Sequence, residues 1–207
     1  MVTFGGMLLE KEYSARDKIL DAALVEFGTH GYTKASTNRI YQEAKVSKGL
    51  IFKIFQSKDN LFTEVFKRSL GRMLSEMELT KITDSHDMIE KMMAVVAWKL
   101  KYATSHPQDT LVMMEGFNSP PKEVQLYLQE HIRELTVLST RSFFSDISME
   151  NIRDEYTKED VLTNLEIGMI GLQEKYLSQK MTLDDMESFK DLGLKFLNTI
   201  LKGMEKK

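Results

Sequence analysis

The sequence predicts an all-α protein, and three observations support this class. Only three of the 207 residues are proline, at positions 107, 120 and 121, and proline breaks helices. Apolar residues recur three or four positions apart through most of the chain, which is helical spacing. No segment shows the alternation of apolar and polar residues that is typical of a half-buried strand. We therefore expect helices joined by short loops.

Capping residues divide the first 80 residues into four predicted helices. Ser14 with Asp17 has the pattern of a capping box, so the first helix should begin here and end near Gly31, since glycine tolerates the left-handed conformation. Ser36 or Thr37 should begin a short second helix. The third helix and the fourth, which should run to about residue 80, are preceded by two further serines, Ser47 and Ser57.

Five longer helices are expected after residue 85. Their predicted spans are about 87–105, 108–116, 121–145, 158–179 and 182–204. His106 and Pro107 should end the first of them, and Pro121 should lie in the first turn of the third, where proline is tolerated. Thr157 and Thr182, each followed by aspartate three positions on, have the capping-box pattern of helix starts.

Positive charge is concentrated in one short segment of a mildly acidic chain. The formal net charge is −3, but residues 34–58 carry six basic side chains and one acidic one, which gives +5. Such asymmetry is typical of a protein in which one end meets a polyanion. A solvated basic face is the alternative interpretation.

Residues 36–62 have the pattern of a helix–turn–helix motif. Ile40 and Ala44 should face inward on its first helix, Val46 should fill the corner, and Ile51 and Phe55 should anchor its second helix. The residues left on or near the outer face of that second helix are Lys48, Gly49, Leu50, Phe52, Lys53 and Ile54. A helix of this kind enters the major groove of double-stranded DNA. The alternative is a helical hairpin with a charged face.

From about Ser14 to Phe66 the chain resembles the TetR family of transcriptional regulators. The resemblance is carried by "ILDAALVEFGTHGYTKAST", by the corner "EAKVSKG" and by "LIFKIFQSKDNLF". In the rest of the chain it is limited to the number and length of the helices. The resemblance implies a homodimer, an N-terminal DNA-binding domain at 1–57, and a C-terminal domain at 58–207 for ligand sensing and dimerisation. The fourth helix, 58–80, would connect them.

The same resemblance assigns DNA contacts position by position. Ser36 and Thr37 match phosphate-contacting positions at the start of the second helix, and Lys58 matches one at the start of the fourth. The matching positions of the recognition helix are Lys48, Gly49, Phe52 and Lys53. Ser47 joins this set because the free N–H groups near a helix N-terminus bind phosphate well.

Two residues depart from the family pattern. Lys45 stands where glycine is usual, so a lysine at positive φ should cost about 1 kcal/mol, and its charge can add a phosphate contact. Phe52 stands where tyrosine is common. It has no hydroxyl for a phosphate, but it can pack on a sugar or a thymine methyl.

Methionine and aromatic residues in the C-terminal part predict a pocket for a mostly apolar small-molecule effector. Twelve of the 14 methionines follow residue 70, and methionine suits adaptable apolar pockets, although any single methionine is more often core. The candidate ligand residues are Met92, Val96, Met113, Met114, Phe117, Tyr127, His131, Phe143, Met169 and Gln173.

The last two predicted helices carry more apolar surface than exposed terminal helices need. Two such helices from each subunit would form a four-helix bundle about a two-fold axis. The candidate interface residues are Leu165, Met169, Leu172, Phe196, Leu197, Ile200 and Leu201. The alternative is that these helices only close the core of the protomer.

Other classes of function find little support in the sequence. The chain has no cysteine and four widely separated histidines, so we expect neither a metal site nor a cofactor. A nucleophile motif and a glycine-rich phosphate loop are both missing, which argues against an enzyme. We see no apolar run of bilayer length, and residues 1–12 look like a lead-in rather than a signal peptide. We therefore expect a cytoplasmic protein without a membrane partner.

Together, the pattern and the resemblance predict a dimeric transcriptional regulator. Its expected mode is repression from a palindromic operator, with release by the apolar ligand. The alternative is a DNA-binding structural or cell-division protein of the same fold that takes no ligand.

Overall fold

Nine α-helices make up most of the chain in the computed structural model, which describes residues 14–80, 82–118, 121–178 and 185–206. They are α1 (Ala15–Lys34), α2 (Thr37–Glu43), α3 (Lys48–Phe55), α4 (Lys58–Leu79), α5 (Met88–Ser105), α6 (Pro107–Asn118), α7 (Lys122–Phe143), α8 (Lys158–Ser178) and α9 (Met186–Met204). The predicted all-α class is confirmed. Within these ranges, no helix is both long enough and apolar enough to cross a bilayer.

Hydroxyl side chains cap four of the helices for which the sequence predicts such a cap; α2 is the exception. Ser14 Oγ accepts the Asp17 N–H at 3.1 Å, and the Asp17 carboxylate accepts the Ser14 N–H in return. Ser47, Ser57 and Thr157 each accept an N–H three residues on, at 3.3, 3.0 and 3.2 Å. Each such cap stabilises its helix by about 1 kcal/mol. The predicted cap at Thr182 and the lead-in at residues 1–12 lie outside the described residues.

Two helix boundaries differ from the prediction for local reasons. Gly31 adopts φ +68°, a value that favours glycine, but the chain resumes a helical turn and α1 ends only at Lys34. Helix α6 begins at Pro107 itself and extends to Asn118. Proline is tolerated there because the N–H it lacks would have no partner in the helix.

The first hydrophobic core joins the helix–turn–helix segment to the helices behind it. Its largest fully buried side chains come from α1 to α4, α6 and α7: Ile19, Phe27, Ile40, Ile51, Leu61, Phe62, Val65, Phe66, Val112 and Val124. Burying each of them contributes about 1.5–3 kcal/mol. The Phe27 and Phe62 rings meet edge to face, with centroids 4.9 Å apart. This core runs across the domain boundary predicted after residue 57, so α4 packs in both parts.

A second hydrophobic core lies between α5, α8, α9 and the connection from α7 to α8. Its buried members are Met88, Met92, Phe144, Ile147, Ile152, Val161, Leu162, Leu165, Leu197, Leu201 and Met204. The end of α9 is tied to the same connection by two backbone hydrogen bonds: Arg153 N–H to Met204 O at 2.8 Å and Lys206 N–H to Asn151 O at 2.9 Å. These bonds hold the connection against α9, where it closes one side of the second core.

Helix α6 contacts residues 14–57, here called the head, as well as the later helices, here called the body. At Gly28 the backbone of α1 comes so close to α6 that an added Cβ would lie 3.0 Å from Gln108 Cα. One turn on, Glu115 Oε1 accepts the Tyr32 N–H at 3.3 Å. Contact between α1 and α6 therefore gives the head and the body a second connection beside α4.

Candidate nucleic-acid interface and ligand cavity

The corner between α2 and α3 has the geometry of a helix–turn–helix. Residues 44–47 link the two helices, and Lys45 takes φ +54°, as predicted from its place in the corner. Ile40, Ile51 and Phe55 are buried, and Val46 packs against the same core. An L-residue with positive φ costs about 1 kcal/mol, so burial of this apolar set is what maintains the corner.

The outer face of α3 is exposed to solvent. Lys48, Gly49 and Lys53 are exposed, and a Cβ added at Gly49 would meet no heavy atom within 4 Å. Phe52 is 40% exposed, which is high for a phenylalanine and leaves its ring available to a partner. The sequence-predicted recognition positions therefore share one open face.

The start of α2 differs from the other starts because its serine does not cap it. The Ser36 side chain makes no capping hydrogen bond. The backbone N–H of Ser36 donates to Glu26 Oε1 at 2.7 Å. Thr37 is half-buried beside it. Ser36 and Thr37 thus lie at the N-terminus of α2 on the same side of the molecule as Glu26.

The buried Glu26 forms an ion pair with the exposed Arg39, and nothing in the sequence indicated this pair. Glu26 is 7% exposed, and its carboxylate accepts hydrogen bonds from Arg39 Nε at 2.9 and 3.0 Å. Burial raises the pKa of Glu26, but the hydrogen bonds from Arg39 and from the Ser36 N–H outweigh it, and the pKa lies below its ordinary value. Arg39, which the sequence counts in the basic segment, is therefore neutralised within the fold.

Lys58 also has partners inside the protein. Its Nζ donates to Thr33 O at 3.4 Å and lies 4.8 Å from the centroid of the Tyr32 ring. Desolvation lowers the pKa of Lys58, and the Tyr32 hydroxyl donates to Asp59. This cluster joins the end of α1 to the start of α4.

A cavity of about 420 Å³ lies between the two hydrophobic cores. This volume is within the usual range for small-molecule sites. The cavity is bounded by α4 to α9, and the later part of α4 reaches it through Met73, Leu74 and Met77. Eight of the ten candidate ligand residues line it: Met92, Val96, Met113, Met114, Phe117, Phe143, Met169 and Gln173.

Tyr127 and His131 do not line the cavity, and this corrects their assignment. Both lie in the first half of α7, where their rings stack 4.6 Å apart. Tyr127 packs against Phe66 of α4, and Lys67 Nζ lies 4.8 Å from its centroid. The second half of α7, from Leu135 on, borders the cavity instead.

Seven polar residues that line the cavity were not among the ligand residues predicted from the sequence. They are Lys99, Tyr102, Thr110, Thr136, Ser139, Thr140 and Lys190. Lys99 had a detectable signal, because it stands three and seven positions after Val96 and Met92 on one face of a helix. The hydroxyls had none, because only the packing of several helices around the cavity brings Tyr102, Thr110 and the α7 hydroxyls to it.

Three of the candidate interface residues are core residues of the protomer. Leu165, Leu197 and Leu201 are buried in the second core, so they have no surface to offer a partner, and their assignment is corrected. Met169 and Leu172 line the cavity. Apolar surface does remain exposed on these two helices, at Ile167, Leu192, Phe196 and, in part, Ile200.

Comparisons with known proteins agree with this geometry. Residues 19–65 match the family described as bacterial regulatory proteins, tetR family. The chain is 28% identical over 80 residues to a fatty acid metabolism regulator protein of Bacillus subtilis, covering 39% of this chain and 41% of that one. It is 28% identical over 102 residues to an HTH-type transcriptional repressor of Streptomyces coelicolor, covering 44% and 53%. The chain thus spans about half or less of the length of these relatives.

A solved structure extends the likeness of fold to nearly the whole chain. A transcriptional regulator from Rhodococcus sp. RHA1 superposes with a TM-score of 0.65 at 14% identity, covering 94% of this chain and all of that one. The matched segment 19–65 contains the corner and the open face of α3. Residues 19–65 therefore match the TetR family of bacterial regulatory proteins, and the likeness of fold extends over nearly the whole chain.

Proposed function

We propose that the protein is a homodimeric transcriptional regulator that binds a palindromic DNA operator through α3. The open face of α3 is the observation that carries the proposal. It presents Lys48, Lys53 and the Phe52 ring beyond a corner that is anchored by buried side chains of α2 and α3. Lysines suit phosphate, and an exposed aromatic ring suits a sugar or a thymine methyl. Lys45, at the tip of the corner, is also exposed and adds a further charge.

Dimerisation is proposed through the exposed apolar residues of α8 and α9. Ile167 is 64% exposed, and Leu192 and Phe196 are each 37% exposed. Phe196 lies over Gly168, so the two helices are already packed closely at this point. A two-fold axis at this surface would pair α8 and α9 with their copies, and a dimer is what a palindromic operator with half-sites about 34 Å apart requires.

Repression released by a small molecule is the proposed mode of regulation. The cavity supports it over a ligand-free structural role, since a space of this size with apolar walls suits a mostly apolar effector. The names of the relatives point the same way, one being a repressor and the other a regulator of fatty acid metabolism. A regulator of this kind needs no catalytic residues and no cofactor.

A selection from random duplex DNA tests the DNA-binding proposal. The wild-type chain should enrich a palindromic sequence, and Lys48→Ala or Lys53→Ala should weaken binding to it and lower the salt slope by about one unit for each phosphate that is no longer neutralised. Lys101→Ala, an exposed lysine on α5, is the matched control and should change neither. If no sequence is enriched, or if the α3 variants bind like the control, the proposal is wrong.

A further inference from the structure

Lys99 occupies the middle of the α5 face that borders the cavity. Val95 and Val96 precede it by one turn, and Tyr102 and Ala103 follow it by one turn, and all four line the cavity. Residues at these separations lie on one side of a helix. The direction of the Lys99 side chain is therefore set by the helix, which sends it towards the apolar space.

The surroundings of Lys99 leave its charge unmatched. In the described part of the chain, no carboxylate lies within ion-pair distance of its ammonium, and no Asp or Glu lines the cavity. The other lysine of the lining, Lys190, has Asp191 beside it at 3.9 Å. The Lys99 side chain stays exposed to open space, yet surrounding protein desolvates the ammonium and lowers the pKa of Lys99. Both facts fit a side chain that extends into the cavity.

We propose that the cavity binds an amphiphile with a single anionic head group, that Lys99 Nζ contacts this head group, and that the apolar tail lies among the methionines. An unpaired cation in an apolar space is costly, and a ligand anion relieves that cost while gaining a charge-assisted hydrogen bond. This inference deepens the proposed function and rests on its premise that the cavity holds the effector.

The walls fit the two parts of such a ligand. Met73, Met77, Met92, Met113 and Met114 line the cavity from three helices and can adapt to a flexible chain. Among the polar groups, Gln173 is already engaged, because it accepts the Thr136 hydroxyl. Lys99 is thus the cation best able to select the charge of the head group.

Four probes that share a ten-carbon chain separate the charge of the head group from its chemistry. They are decanoate, decyl phosphate, 1-decanol and decyltrimethylammonium, each titrated into the intact chain by calorimetry without DNA. We expect the anion-bearing probes to bind about 10- to 100-fold more tightly than 1-decanol, which is the usual contribution of a hydrogen bond to a charged group. The tighter of the two anions identifies the head group as carboxylate or phosphate.

Variants at Lys99 test whether this residue causes the preference for anionic probes. Lys99→Met should abolish the preference for anions over 1-decanol while still binding 1-decanol, and Lys99→Arg should keep the preference. Lys101→Met, two positions on and exposed, is the matched control and should bind like wild type. Because Lys99→Met removes an unpaired cation, its melting temperature without ligand should not fall, so a loss of anion binding cannot be attributed to unfolding.

Three results would overturn the inference. They are equal binding of decanoate and 1-decanol by wild type, an anion preference that survives in Lys99→Met, and failure of all four probes to bind. Release of DNA is measured separately. A wild-type protein that prefers the anions but keeps its operator would uphold the Lys99 contact and count against the proposed mode of regulation.

Discussion

At the scale of single residues, the basic segment is less basic than its composition implies. Arg39 is paired with the buried Glu26, and Lys58 is engaged with Thr33 O and the Tyr32 ring. The lysines of this segment that remain open towards solvent are Lys34 at the end of α1, Lys45 at the corner, and Lys48 and Lys53 on α3. The family resemblance predicted the positive φ of Lys45, but no local signal marks a partner that is 13 or 25 positions away, because such pairs depend on how helices cross.

Replacing Glu26 by glutamine tests the buried pair. Glu26→Gln should lower the free energy of unfolding by about 1–2 kcal/mol near pH 7, because hydrogen bonds to a charged group are removed. The pKa of folded Glu26 lies below the ordinary value of about 4.3. Its stabilisation is therefore complete above that value and is lost as the pH falls through the lowered pKa.

Urea unfolding over a range of pH measures this effect. The difference between wild type and Glu26→Gln should narrow as the pH is lowered from about 7 towards 3. Glu43→Gln, at an exposed position on α2, is the control and should stay within about 0.5 kcal/mol of wild type. A difference that does not vary with pH would contradict the ion-pair explanation.

At the scale of elements, most helix spans followed from caps and prolines, because these act within one turn. What the sequence left open was which face of a helix meets which neighbour. The apolar face of α9 was expected to be a dimer surface, but Leu197 and Leu201 turn into the second core. Likewise, no local signal separates Tyr127 and His131 from the second half of α7, and only the packing of α7 on α4 places them away from the cavity.

The contact between α4 and α6 gives a prediction at this scale. A Cβ at Gly116 would lie 2.3 Å from Cδ2 of Phe66, whose ring is fully buried and cannot move aside. Gly116→Ala should therefore destabilise the protein by about 1–3 kcal/mol, despite the better helix propensity of alanine. Gly71→Ala, where nothing lies within 4 Å, should instead stabilise by about 0.5–1 kcal/mol. Urea denaturation of both variants measures the contrast, and equal shifts would mean that the ring yields.

At the scale of the whole molecule, the exposed residues of α8 and α9 should govern association. Ile167→Glu with Phe196→Glu should give a folded monomer, because both side chains are exposed in the protomer and a charge at a two-fold axis meets its own copy. Leu138→Glu, on the exposed side of α7, is the control and should remain dimeric. Sedimentation velocity decides between these outcomes. A dimer that survives the double substitution would move the interface elsewhere.

In the proposed dimer, ligand binding in the cavity would act on DNA binding through the helices that reach both sites. Helix α4 runs from Lys58 next to the head to Met77 at the cavity, and α6 contacts α1 while lining the same cavity. A shift of either helix would change the separation of the two recognition helices, and coupling of about 1–3 kcal/mol would reduce operator affinity about 5- to 150-fold.

Spin labels can follow a change in this separation. The chain has no native cysteine, so a single introduced cysteine carries the only label on each protomer. A label on Gln42→Cys, exposed on α2 and away from the outer face of α3, reports the distance between the two heads. A compound that releases the operator should shift this distance by a few ångströms. Release with an unchanged distance distribution would exclude a rigid-body mechanism and favour a change in dynamics.

Any part of the cavity that solvent does not fill should make the fold sensitive to hydrostatic pressure. Internal space that solvent replaces on unfolding lowers the volume of the unfolded state, so hydrostatic pressure acts against a fold that contains such a void. A space of about 420 Å³ beside Met92 and Leu197 is large on this scale, and a bound tail would remove much of it. Pressure and effector would thus act in opposite directions on the same volume. A bound effector should raise the hydrostatic pressure at which the protein unfolds.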